Sequence, residues 1–294
     1  MPELHLITVA NATTLPVLKH GCAMILASIS ANTYRVIVPE AEVPIFRDSL
    51  NSHFIVESED EYLADLRGYI SRKLPETSPR FGWYLQQFIK LSAVHRHSSS
   101  ANVLIWDADT IPLRKLTFFS RSGAPKYFIS NESHAPYFRS IERAMGLGST
   151  APYSFVAQCF PITSRHASAF FSQLSELGGG DWWTPLLESI DFSEDAGFSE
   201  YEMLGTFIYN QFPNEFGTQH RTWLRNGWML FEEIEATGNP VRRFLWSKQF
   251  AYISFETHLA RRPGLTRSQR SLQLLQVWGL NLARTRRAAS RARR

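Results

Sequence analysis

Cysteine is scarce, with two residues in a chain of 294. Cys22 and Cys159 both stand among apolar neighbours and match no metal-ligand or redox spacing, which excludes a disulfide scaffold and a cysteine-based metal site. They read as buried thiols in a reducing cytoplasm. No apolar run approaches the roughly 20 residues that cross a bilayer. Residues 1–10 carry neither the basic segment nor the cleavage site of a secretory signal, so the expectation is a cytoplasmic protein, soluble or peripheral. No G-x-G-x-x-G follows the first apolar strand and no Walker-type lysine loop occurs, which counts against a dinucleotide dehydrogenase and a P-loop enzyme. The sequence after that strand is NATTLPVLK. It lacks the glycine-rich, basic loop that a nucleotidyltransferase or pyrophosphorylase would place there. Internal repeats and low-complexity linkers are also missing.

Charge of one sign is scarce until the last residues. The formal net charge is +4, yet RTRRAASRARR at 284–294 holds six arginines and no acid. Without that tail the body is close to neutral, so no nucleic-acid partner is expected. What the chain has in quantity is apolar and aromatic material, 44% hydrophobic and 13% aromatic with eight Trp. That suffices for a substantial core, and rings in such number suit sugar-binding clefts as well as cores.

The spacing predicts strands at 4–10, 34–38, 53–57 and 103–106, alternating with helices at 15–30, 59–73 and 81–97. This rhythm argues for a mainly parallel sheet covered by helices. Beyond Thr110 it changes: strands are expected at 127–130, 154–163, 241–246 and 251–255, and helices at 165–177, 182–190, 200–210 and 267–294. A polar, aromatic stretch runs from 131 to 148, and NESHAPYFR at 131–139 reads as a loop.

The most informative segment is NVLIWDADTIPL at 102–113. A buried-strand run ends in Asp107 and Asp109, and in extended backbone residues i and i+2 share a face. Two hard oxygen donors at a strand's carboxyl edge suit Mg²⁺ or Mn²⁺, ions commonly held by one or two carboxylates plus substrate phosphates. FSEYE at 198–202 contains S-x-x-E, a capping box that puts Ser199 at the N-cap and Glu202 at the third helical position. Its carboxylate would close the cap, while Glu200 would be free to point outward.

GWYLQQFIKL (82–91), VLIWDADTIPLRKL (103–116) and FSEYE together resemble a family of poorly characterised bacterial GT-A-like glycosyltransferases associated with surface polysaccharides. The resemblance spans most of residues 3–260. It implies an α/β GT-A-like fold, with a nucleotide-binding half at 1–116, an acceptor half at 117–265, and a C-terminal helix and basic tail at 266–294. It implies transfer of a sugar from a nucleotide-sugar donor, a UDP-sugar, to a glycan or glycolipid hydroxyl. Asp109 would bind the Mn²⁺ or Mg²⁺ directly, and Asp107 would meet the ribose, or the ion through water. Ala10, Asn11, Gln86, Gln87, Lys90, Trp106 and Ala108 join them as donor-binding positions. His258 is the candidate third metal ligand, and Arg261 or Arg262 could meet the diphosphate. Glu200 is the first choice for the base, then Glu202 and Asp181. Glu132, His134 and Tyr137, with Trp182 and Trp183 for stacking, are the acceptor-site expectations. Inversion is the expected outcome; a retaining enzyme and a catalytically silent glycan- or partner-binding scaffold are the alternatives. Leu272, Leu275, Trp278 and Leu282 would give the last helix an apolar stripe before the arginines, a basic amphipathic segment suited to peripheral contact with the inner membrane.

Overall fold

Short runs of Leu, Ile and Val, buried on both faces, make the central strands: Leu104, Ile105 and Trp106 have no exposed surface at all. The computed structural model describes residues 3–63, 65–148, 151–219, 221–231 and 233–256. In chain order the strands are β1 (Leu4–Val9), β2 (Thr33–Val38), β3 (Phe54–Ser58), β4 (Asn102–Trp106), β5 (Thr110–Pro112), β6 (Lys126–Tyr127), β7 (Cys159–Ile162), β8 (Gly217–Thr218), β9 (Thr222–Leu224) and β10 (Phe250–Ser254). The helices are α1 (Leu15–Ser28), α2 (Val43–Ser49), α3 (Asp60–Leu63), α4 (Leu66–Lys73), α5 (Phe81–His97), α6 (Ala135–Met145), α7 (Ser164–Leu177), α8 (Thr184–Ser189), α9 (Glu200–Gln211) and α10 (Pro240–Ser247).

The chain forms two units from interleaved stretches. The first comprises the chain up to Asn11, Ala31–Asp107 and Thr117–Thr218; the second comprises Ala12–Ser30, Ala108–Leu116 and the chain from Gln219. The first unit is a mixed α/β layer structure with a mainly parallel sheet, strand order β3-β2-β1-β4-β7, flanked by helices. β1 pairs in parallel with β2 on one side and β4 on the other, with Ile7 opposite both Arg35 and Ile105. Only β7 is antiparallel, and it lies at the sheet's end, where Pro161 can be tolerated. The strand order therefore reverses at β1 and β4, which makes their carboxyl ends the topological switch point of the sheet. One core joins sheet, loop and α3 to α9 side chains, among them Tyr84, Phe88, Phe155, Phe160, Phe170 and Phe207.

The second unit holds α1, α10 and a three-stranded sheet of order β5-β10-β9. Its core joins Val17, Met24, Ile111, Phe231, Phe250 and Ile253.

Several expectations need correction. The 241–246 segment is not a strand but α10: Asn239 accepts from the Val241 and Arg242 amides and Pro240 follows at the first position, a strong start signal. The expected loop at 131–139 runs into α6, whose buried Tyr137, Ile141, Ala144 and Met145 recur at helical spacing and which ends in left-handed Gly146. The 59–73 helix is two, α3 and α4, and the 154–163 strand is reduced to β7. Both thiols are buried, as expected. The 267–294 helix lies outside the described residues. Among the described residues, no helix is long and apolar enough to cross a membrane.

Candidate functional site

In the first unit, β4 ends at Trp106 and Asp107 follows at the switch point. The Asp107 amide donates to the Gln158 carbonyl at 3.0 Å. Gln158 has φ of 60°, a conformation uncommon for a side chain this large. The segment 108–109 is a turn rather than a strand continuation, so strand alternation does not govern the two aspartates.

Lys90, on α5, is buried and gives its ammonium to Asp107 Oδ1 at 2.6 Å, Glu200 Oε1 at 2.8 Å and the Tyr201 hydroxyl at 3.3 Å. Tyr201 in turn donates to the same Asp107 Oδ1 at 2.5 Å, and its ring centroid lies 4.7 Å from the ammonium. An ammonium has three donors, and all three are used here. Lys90, expected at the donor, is thus engaged by Asp107, Glu200 and Tyr201. Burial works to lower the Lys90 pKa, but Asp107 and Glu200 outweigh it and hold it above its ordinary value. Glu200 is pushed up by burial, against the pull of Lys90 and with a further push from Asp107. Oδ2 of Asp107 and Oε2 of Glu200 take no part in these bonds.

The start of α9 presents Glu200 because Ser199 caps it. The Ser199 hydroxyl accepts the Glu202 amide at 3.3 Å, and Gln87 Oε1 accepts the Glu200 amide at 3.0 Å, so two orphan donors of the helix start are satisfied. Gln87 is thus spent on the protein. Glu200 is not free, as the capping-box reasoning expected, but ion-paired. Glu202 does not close the cap: its Oε2 accepts from the Ser154 hydroxyl and, at 3.1 Å, from the Phe155 amide. Its Oε1 is buried without a partner. Burial drives the Glu202 pKa up to about 7, with the Ser154 and Phe155 hydrogen bonds opposing it. Gly205, one turn on, gives Phe155 room, since a Cβ there would overlap the Phe155 ring.

In the second unit, Asp109 Oδ1 accepts from Ser254 at 2.9 Å and from Thr110 at 3.2 Å, and the Asp109 carbonyl accepts the Phe255 amide at 2.7 Å. Two hydroxyls thus orient this carboxylate, the support that a hard-cation ligand needs. Asp107, with a cation already on Oδ1, suits direct coordination less. Among the described residues no group of three or more His, Cys, Asp or Glu gathers around one point. His258, Arg261 and Arg262 lie outside the described residues.

The other expected positions scatter. Gln86 reaches the Val9 carbonyl at 3.4 Å, at the carboxyl end of β1, where Ala10 is buried and Asn11 exposed. Trp106 is a core ring edge-on to Phe118, and Ala108 is buried. His134 stands at the N-cap position of α6 but its ring bonds the Ala196 carbonyl at 2.9 Å rather than the helix, and Tyr137 lies in the core against it. The Glu132 amide donates to Ser130 Oγ, and its charge adds to the upward push on Glu202. Trp182 is buried between Phe171 and His95; Trp183, half-buried, meets Tyr69 edge-on. Asp181 is exposed in the turn before them and makes no contact with Lys90 or Glu200. Tyr201, Gln158 and Ser154 were not anticipated. Tyr201 had one signal, its place inside FSEYE; the other two had none.

No family model matches this chain, and no curated protein does. Among solved structures, mouse xyloside xylosyltransferase 1 in its apo form is similar over 88% of this chain and 99% of that one, at 11% identity and a TM-score of 0.48. The galactosyltransferase LgtC in complex with donor and acceptor sugar analogs is similar over 85% and 86%, at 12% identity and 0.44. An active-site mutant of LgtC gives 88% and 92%, at 11% and 0.46.

Proposed function

We propose that the chain is a metal-dependent, inverting glycosyltransferase that moves a sugar from a nucleotide-sugar donor, a UDP-sugar in this reading, to a hydroxyl of a glycan or glycolipid acceptor in bacterial surface-glycan synthesis. One observation carries the reading. Asp107 stands at the switch point of the sheet, where open α/β folds bind ligands, and buried Lys90 locks it to Glu200. Replacing a buried ion cluster with apolar residues is often neutral or stabilising, so one kept at a ligand-binding edge points to function.

Asp109, oriented by Ser254 and Thr110, fits as the direct ligand of Mg²⁺ or Mn²⁺. When bound, such an ion neutralises charge on the departing diphosphate. Asp107 keeps Oδ2 for a ribose or sugar hydroxyl. Glu200 is the base: as the acceptor oxygen bonds to the anomeric carbon and the bond to the diphosphate oxygen breaks, the acceptor proton passes to Oε2. Lys90 holds both carboxylates in place and opposes the burial that would keep Glu200 protonated. The sequence of the arginine tail supports an enzyme working beside the inner membrane.

Glu200→Gln keeps shape and removes the base. Turnover should fall about 10²–10⁴-fold with nucleotide-diphosphate affinity retained. A mild effect there, with the loss moving to Glu202→Gln, would assign the base to Glu202.

A further inference from the structure

α10 is folded with its apolar side outward. Val241, Phe244, Leu245 and Lys248 recur at i, i+3, i+4 and i+7, the spacing of one helix face. The three apolar members are 66%, 58% and 61% exposed, half of the six large hydrophobic side chains that stand exposed among the described residues. The opposite side faces its own unit: Arg243, Trp246 and Ser247 are half-buried, and Trp246 packs on the core with its ring 6.2 Å from Phe250. A helix turned only by its own amphipathicity would bury Phe244 and Leu245 instead. The outward face is also cationic. Lys248 lies with its ammonium 4.2 Å from the Phe244 ring centroid, Arg242 is exposed beside it, and Arg114 reaches the Ser247 carbonyl at the helix end. No acid occurs from Asn239 to Phe255; the nearest upstream are Glu233 and Glu235, exposed on the preceding turn.

We infer that this face docks on an anionic lipid surface, with Phe244, Leu245 and Val241 entering the headgroup boundary and Arg242 and Lys248 meeting lipid phosphates. Charge selects this occupant over two others. The chain beyond Glu256 carries ten arginines and no acid, so it would repel the α10 cations rather than cover them. A second copy presenting the same face would set like charges against each other. Anionic headgroups match the helix and the arginine-rich sequence alike, and the surface stands whether or not the transferase reading holds.

The test is flotation of the full-length protein with phosphatidylcholine vesicles, with and without phosphatidylglycerol. A Phe244→Ser/Leu245→Ser double variant and a truncation after Ala283 are measured separately. The wild type should float only with phosphatidylglycerol present, and the double variant should lose about tenfold or more in partition, with its thermal midpoint unchanged because both side chains are exposed. The truncated protein should keep its dependence on Phe244 and Leu245. Should the double variant lose its thermal transition, Arg242→Gln and Lys248→Gln read the same contact, each lowering partition about fivefold. Three results would overturn the inference: wild-type flotation by a folded α10 variant, equal flotation with and without phosphatidylglycerol, or a gel-filtration shift from dimer to monomer on substituting Phe244 and Leu245.

Discussion

Replacing Lys90 with Met removes one charge and leaves two carboxylates facing each other inside the first unit. Asp107 and Glu200 have side chains only 14% and 5% exposed, so water cannot take the place of the ammonium. At 2.6 and 2.8 Å from that nitrogen, each carboxylate loses an attraction of about 6 kcal/mol at an effective dielectric of 20. Part of that was already offset by desolvating the lysine, and the net cost of breaking a buried pair from one side is about 3–5 kcal/mol. Against a typical total of about 5–15 kcal/mol, the variant should fold but with a marked loss. The loss should depend on pH with a definite sign. Without Lys90 only a backbone hydrogen bond opposes the upward push on Glu200 from burial and Asp107, so the folded state holds a proton that the unfolded chain releases. Such a group favours folding at low pH and loses that contribution as pH rises. Urea unfolding of Lys90→Met, followed by tryptophan fluorescence, should therefore show the full deficit near pH 8 and a deficit smaller by about 1 kcal/mol or more near pH 5. A deficit below about 1 kcal/mol at both pH values would mean that the cluster is solvated, and the account of Lys90 as a buried positioning residue would fail.

Glu202 gives a second pH signature: with its folded pKa raised from 4.5 to about 7, the carboxyl contributes stability below its ordinary value and loses it as pH rises through 7. Glu202→Gln, which retains an acceptor for Ser154 and Phe155, should be more stable than wild type by up to about 3 kcal/mol at pH 8 and show no gain at pH 4; a pH-independent difference would refute the burial argument. Gly205→Ala should destabilise by about 1–3 kcal/mol, because the new methyl meets the Phe155 ring, and an unchanged unfolding midpoint would show that Phe155 can move aside.

The parallel strands were legible because β1 to β4 are apolar runs separated by helices with clear periodicity, and α9 because Ser199 is a good cap. The α10 segment misled because Val241, Phe244 and Trp246 are strand-favouring types, although Asn239-Pro240 announced a helix. α6 misled in the opposite way: His134 and Tyr137 look like ligand-binding groups, yet one bonds the Ala196 carbonyl at the helix start and the other packs in the core. The candidate site was legible as types but not as partners. Nothing in the sequence ties Lys90 to a glutamate 110 positions later. The left-handed Gln158 beneath Asp107 carries no local signal either, since the fold around it, not its own preference, imposes the conformation.

The central claim is that this chain binds a nucleotide-sugar through a divalent ion held by Asp109, and thermal shift tests it most directly. Nucleotide sugars and nucleoside diphosphates are screened with Mn²⁺, with chelator, and against Asp109→Asn. A binder stabilises the fold by mass action, about 2.7 kcal/mol at a hundredfold excess over Kd. An upward shift is expected with one donor class in Mn²⁺, lost with chelator and in Asp109→Asn. A shift of equal size with chelator or in that variant, or none with any nucleotide sugar, would contradict it.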